Sequence, residues 1–238
     1  MRVVCVIPAR LESTRLPGKV LLAETGKPLI CHTIDAIKAA GYLPMVVTDS
    51  QEIYSTLRND RQAEIVFDPR PSNSGTDRIA KLFDDDSPAR PHCDLIVAVQ
   101  ADEPEIKPGH IEALVEAYQT IPGCDMATLA TQLHTADADN QSVVKVDIWN
   151  DGFAENFSRR MTYRHSHLGV YAYSPRFLKW FASQPRTESE ERMSLEQLRA
   201  LDNGCRIRVA IVDHPYHGID TREQYDAFVA RWKAKHNG

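Results

Sequence analysis

The sequence is poor in the features that announce a function. Its five cysteines, Cys5, Cys31, Cys93, Cys124 and Cys205, are odd in number and far apart. No CxxC pair occurs, which excludes the common zinc and dithiol motifs and leaves reduced, mostly buried thiols. No apolar run reaches bilayer length. The first, VVCVI at 3–7, stops at Pro8 and is too short even for a signal h-region, so a soluble cytoplasmic protein is expected. Repeats, low-complexity tracts and Gly/Ser linkers are missing. So are the GxxxxGK[ST] and GxGxxG phosphate-binding turns. Positive charge is not in excess either: the formal net charge is -5. A chain of that balance is not built to coat nucleic acid or an anionic membrane, and any polyanion must meet a local basic cluster.

What is present is an alternation. With 238 residues, 42% hydrophobic and 26% charged, the chain can bury one sizeable α/β core. Continuous apolar, largely β-branched runs predict strands at 3–7, 45–48, 64–67 and 95–99. Between and after them, helical spacing predicts helices over 28–41, 52–59, 76–83 and 110–118. Strands alternating with helices imply a mostly parallel, doubly wound sheet. The second half is less regular, with strands expected at 143–149, 167–173 and 206–212 and helices at 175–183, 194–204 and 221–235. Tyr225, Phe228, Val229 and Trp232 form an apolar stripe on the last helix, read as core packing.

In such sheets ligands sit beyond the carboxyl ends of the strands. That rule selects 8–19, Asp49 with its neighbours, and QADEP at 100–104. In IPARLESTRLPGK, Arg10, Arg15 and Lys19 surround Pro17-Gly18 just after a strand, an arrangement able to bring three cations and backbone N–H groups to a triphosphate. A solvated basic loop is the plainer reading of the same charges. Asp102 before Pro104 is either a ligand or a turn former, and Asp220 or Thr221 in HGIDT either a ligand or a helix cap. Two carboxylates converging from separate strand ends suit Mg²⁺. His165 and His167 alternate on a strand but lack neighbouring ligands for zinc. The DDD run at 84–86 reads as a solvated helix end, and Cys5 and Cys31 read as core.

IPARLESTRLPGK, GKPLI, SGTDR, VQADEP, HLGVYAY, LEQLR and GIDT occur in this order over nearly the whole chain. Together they resemble the bacterial 3-deoxy-manno-octulosonate (Kdo) cytidylyltransferases, the CMP-Kdo synthetases. The opening motif is shared with sugar-activating cytidylyltransferases more widely, whereas HLGVYAY and LEQLR point to the Kdo branch. The resemblance implies an α/β nucleotide-diphospho-sugar transferase fold, Rossmann-like, with a small dimerisation and sugar-binding subregion. It implies the reaction of CTP with Kdo to give CMP-Kdo and diphosphate, with Mg²⁺, for lipopolysaccharide biosynthesis, by a homodimer to which FLKWF at 177–181 could contribute. One domain, 1–238, would comprise a nucleotide-binding half to about 130, a sugar-binding and dimerisation part over 131–212, and a closing metal motif and helix over 213–238.

By the same resemblance, Arg10, Arg15 and Lys19 would grip the triphosphate. Ser74, Gly75, Arg78 and Gln100, with the backbone of Pro8 and Ala9, would hold the cytidine, and Asp102 and Asp220 the metal. Arg10, Lys19, Asp102 and Asp220 would carry catalysis. Arg159, His167, Tyr171, Glu196 and Gln197 would contact the sugar. Three departures stand out: only MTYRHS separates FSRR from HLGVYAY where the family has a much longer loop with a further sugar-binding arginine, Ala101 replaces a glycine, and Asp77 replaces a glutamate. Arg160 and Arg164 are candidates to replace the missing arginine. A sialate-like substrate and a CTP-binding homologue without turnover are the alternatives to Kdo activation.

Overall fold

The computed structural model describes residues 1–59, 62–84, 87–216 and 218–236. Asp85 and Asp86 of the acidic run, and His217 of HGIDT, lie outside the described residues. In chain order the elements are β1 (Val3–Ala9), α1 (Leu29–Ala39), β2 (Pro44–Thr48), α2 (Gln51–Leu57), β3 (Glu64–Phe67), α3 (Gly75–Leu82), β4 (Leu95–Ala98) and α4 (Pro108–Thr120). There follow β5 (Met126–Gln132), β6 (Lys145–Ile148), β7 (Ala154–Ser158), β8 (His165–Tyr173), α5 (Pro175–Ser183), α6 (Glu188–Met193), α7 (Gln197–Asp202), β9 (Ile207–Ile211) and α8 (Arg222–His236). Among the described residues no helix is long and apolar enough to cross a membrane.

The chain forms two compact units, each entered more than once. The first comprises Val4–Lys81, Ala98–Pro108 and Tyr216–Gly238. Its strands run parallel in the order β3-β2-β1, with Ala9 opposite Thr48 and Thr48 opposite Phe67. Past the end of β4, the Val99 N–H donates to the Val6 carbonyl at 3.0 Å, so the chain leading to Gln100 and Asp102 runs beside β1. Both faces of β1 and β2 are buried over Cys5–Ala9 and Pro44–Thr48, which is why they read as unbroken apolar runs. The α/β class and the doubly wound parallel arrangement are therefore as expected.

The second unit comprises Met1–Val3, Leu82–Val97 and Gly109–Pro215. Here β5 is central, antiparallel to β8 and parallel to β9, while β6 pairs antiparallel with both β7 and β8. Neither β5 nor β7 is signalled in the sequence. MATLATQ has only its two threonines as β-branched residues, and AENFS exposes Glu155 and Asn156, so neither carries the β-branched run that marks β1 and β2. Phe177, Leu178 and Phe181 of FLKWF are buried within this unit and belong to its core.

One apolar cluster in the first unit sets the site. Tyr225, Phe228 and Val229 of α8 pack with Leu29 of α1, Leu16 of the basic loop and Ile219, with Leu22 and Trp232 at its edge. Leu16 lies between Arg15 and Lys19, and Ile219 precedes Asp220. Burying these two side chains, each worth about 1.5–3 kcal/mol, anchors the basic loop and the acidic motif to one core. Phe228→Ala is expected to cost about 3–5 kcal/mol, read as a lower urea midpoint at unchanged slope. A loss under about 1 kcal/mol would show that the cluster does not hold these segments.

Candidate active site

The basic loop ends at Gly18, whose φ of +66° suits glycine and whose N–H donates to the Leu11 carbonyl at 3.2 Å. This turn delivers Lys19 inward. The Lys19 ammonium donates to Asp102 Oδ2, to Asp220 Oδ1 at 2.9 Å and to the Ile219 carbonyl at 2.8 Å, so all three of its protons are used. Arg15 closes the group from the solvent side, with Nη2 at 2.8 Å from Asp220 Oδ2. The two segments are also joined through the backbone, where Ile219 N–H donates to the Asp102 carbonyl at 2.9 Å. Thr221 meets the cap reading, since its Oγ1 accepts from Gln224 N–H at 3.3 Å and leaves the Asp220 carboxylate to the cations. Arg10 lies exposed just past β1.

Two hard carboxylates thus converge on one small cation, and that donor set fits a magnesium ion with few protein ligands. No cluster of three or more His, Cys, Asp or Glu side chains suited to a metal is present among the described residues. Glu103 is buried beside Asp102. Burial first, and then the charge of Asp102, hold its carboxyl well above the usual range. The sequence offers no signal for that burial, because DEP reads as three turn residues.

A second group forms where α3 meets the end of β1. A Cβ on Gly75 would stand 3.1 Å from Pro8 Cγ and 3.6 Å from Gln100 Oε1, so a side chain there would crowd the Pro8 ring. Ser74 Oγ accepts from Asp77 N–H at 3.1 Å and starts the helix. Arg78, one turn on, is buried and donates through Nη2 to Asp49 Oδ2 at 2.6 Å. Its Nη1 is buried and has no hydrogen-bond partner among the described residues. The methyl of Ala101 is buried.

The second unit gathers the residues expected to contact sugar. A bulge sets Tyr171 opposite Thr128 and Leu168 opposite Leu129, which brings the His167 and Tyr171 rings to 5.6 Å. The Thr128 hydroxyl has one proton, and its nearest acceptor is the Val170 carbonyl at 2.7 Å. The same hydroxyl lies 2.8 Å from His167 Nε2, which joins the ring to the strand pairing of β5 with β8. Burial, then the positive charge of Arg159, lower the His167 pKa to about 3, so the ring is neutral. Arg159 donates to the carbonyls of Met193 at 3.2 Å and of Gln141 and Ser142 at 3.3 Å. Tyr171 donates to Gln197 Oε1 at 3.1 Å, whereas Gln197 Nε2 is buried without a partner among the described residues. Glu196 is half-buried at the start of α7. Arg160 and Arg164 lie exposed in the short connection between β7 and β8.

Helix α7 is held by a buried pair that sequence reading passes over. Arg199 donates through Nε and Nη2 to Glu190 of α6 at 2.7 and 2.6 Å, and through Nη1 to the Phe181 carbonyl at 3.3 Å. Lys145, also fully buried, donates to the carbonyls of Asn140 at 2.7 Å and Arg159 at 3.2 Å.

Residues 4–207 match the family described as Cytidylyltransferase. The 3-deoxy-manno-octulosonate cytidylyltransferase of Anaeromyxobacter sp. (strain Fw109-5) is 38% identical over 237 residues, covering 94% of this chain and 94% of that protein. Its counterpart in Geobacter sulfurreducens (strain ATCC 51573 / DSM 12127 / PCA) is 34% identical over 256 residues, covering 98% of this chain and all of that protein, 100%. A solved structure described as CMP:2-keto-3-deoxy-manno-octonic acid synthetase complexed with CTP superposes with a TM-score of 0.90 at 31% identity, over 99% of this chain and 100% of that one.

Three outcomes follow from this geometry. Lys19→Met leaves the Asp102 and Asp220 charges without their shared partner. It is expected to cost about 1.5–3 kcal/mol in divalent-free buffer, and millimolar Mg²⁺ should raise its melting temperature more than that of the wild type. Glu190→Ala strands the Arg199 charge and should cost about 3–5 kcal/mol, read by urea unfolding. For His167 the folded pKa, about 3, is below the free value of 6.5. Its contribution to stability is therefore complete above pH 6.5 and is lost as pH falls toward 3. His167→Gln should flatten that acid limb in urea midpoints measured against pH.

Proposed function

The chain belongs to the 3-deoxy-manno-octulosonate cytidylyltransferase family, and from that membership we propose that it transfers the cytidylyl group of CTP to Kdo. The anomeric hydroxyl oxygen attacks the α-phosphorus, a new P–O bond forms, the α–β anhydride bond breaks, and diphosphate leaves with the hydroxyl proton passing to solvent. Such a displacement needs in-line positioning and charge neutralisation more than covalent help from the protein. No covalent enzyme intermediate is expected.

The observation that carries this reading is the convergence of Asp102 and Asp220, from segments far apart in sequence, on the ammonium of Lys19. Asp102 and Asp220 would hold Mg²⁺. When bound, that ion supplies Lewis-acid polarisation and offsets negative charge on the phosphates. Arg10 and Arg15 bind and orient the triphosphate from the same loop. Lys19, once released from the carboxylates, adds a third cation there. Ser74, Gly75, Arg78, Gln100 and the backbone of Pro8 and Ala9 hold the cytidine, the glycine allowing its close seat against Pro8.

On the sugar side, Arg159 supplies a guanidinium for the keto acid's carboxylate. His167, Tyr171, Glu196 and Gln197 read its hydroxyls. The Nε2 of Gln197, unpaired among the described residues, supports this assignment, because a buried donor without a partner costs free energy until a ligand oxygen satisfies it. On the same reading the protein is a cytoplasmic homodimer serving lipopolysaccharide biosynthesis.

Diphosphate release with CTP, Mg²⁺ and Kdo, beside Asp102→Asn, tests the proposal. The wild type should turn over, and the variant should lose about a hundredfold or more in kcat. Turnover with a sialic acid but not Kdo would move the chain to the alternative substrate. CTP binding without diphosphate release for any sugar acid would identify a non-catalytic homologue. With so short a connection between β7 and β8, calorimetry should give weaker binding for Kdo than for CTP.

A further inference from the structure

Asp49 follows the end of β2 and has no part in the function described so far. Its neighbourhood is nonetheless the cytidine side of the first unit. Thr48, the residue before it, is paired with Ala9 of β1. Its carboxylate holds Arg78 at 2.6 Å, and Arg78 lies one helical turn beyond Gly75, the residue seated against Pro8 and Gln100. The two side chains differ in exposure: that of Arg78 is 6% accessible and that of Asp49 34%. A buried guanidinium thus depends for charge compensation on a carboxylate at the rim.

That pairing has a chemical result. Asp49 occupies Nη2 and leaves Nη1 as a buried donor with no partner among the described residues. An unfilled buried donor is costly unless a ligand acceptor completes it. Cytosine presents two adjacent acceptors, O2 and N3, on its pairing edge. Uracil presents O2 beside an N3–H donor, which would confront the guanidinium with another donor. A fixed guanidinium therefore favours cytosine over uracil, whereas a guanidinium free to swing loses that preference.

We propose that Asp49 is a positioning residue that sets the preference for cytosine over uracil by fixing the orientation of Arg78. The inference rests on the reading of Arg78 as a cytidine-binding residue. Asp49 need not touch the nucleotide. It acts through Arg78, and its loss should appear in nucleotide binding and not in the chemical step.

The test measures CTP and UTP affinities of the full-length protein by calorimetry, with KM and kcat for CTP by diphosphate release. Asp49→Asn should raise the CTP Kd and KM by about tenfold, leave kcat within about threefold, and shrink the ratio of UTP to CTP dissociation constants by about tenfold. Asp49→Glu, which keeps the charge, should recover part of that ratio. A purely structural role would lower the melting temperature and weaken both nucleotides alike, leaving the ratio unchanged, and that result overturns the proposal. Arg78→Met separates the two possible failures. If it too leaves the ratio unchanged, Arg78 does not read the base. If it collapses the ratio while Asp49→Asn does not, Arg78 reads the base without help from Asp49.

Discussion

The arrangement of the first unit depends on one ammonium. Lys19 gives its three protons to Asp102, Asp220 and the Ile219 carbonyl, and so ties the turn after β1, the segment after β4 and the approach to α8 to a single point. Lys19 opens a single 3-10 turn, Lys19–Leu21, while Asp102 and Asp220 lie outside helices and strands. The apolar cluster around Phe228 brings them near, but apolar contact is non-directional. The charge-assisted bonds of Lys19 supply the direction, turning two acidic side chains toward the same small volume.

The same interaction explains how an acidic protein handles a polyanion. Formal net charge is -5, yet the loop that faces the expected triphosphate is basic. In the structure the cations of that loop are not idle: Arg15 and Lys19 both neutralise Asp220. Cationic and anionic groups thus stabilise one another here, so the loop does not present a bare field of one sign.

Much of the first unit was legible because β1 and β2 are buried on both faces and the candidate site residues follow directly after strands. VVCVI, MVVT and EIVF mark β1, β2 and β3 almost to the residue, and the strand-end rule points to Arg10, Asp49 and Asp102 without further help. The second unit was less legible for definite reasons. The central strand β5 has alanine and threonine at four of its seven positions, residues whose burial is decided by neighbours on both sides and not by their own preference. The bulge in β8 leaves no trace in HLGVYAY, since it is fixed by pairing with Thr128. The Glu190–Arg199 pair joins α6, which lacked any signal, to a helix that was expected. Contacts of this kind arise only when distant segments meet, and a single sequence does not encode which carboxylate a given arginine will find.

Thr128 carries a consequence of its own. Its hydroxyl donates to the Val170 carbonyl and lies 2.8 Å from His167 Nε2, and burial together with the Arg159 charge keeps that imidazole uncharged. An uncharged ring offers hydrogen bonds but no charge, so at this point of the second unit the positive charge is that of the neighbouring Arg159.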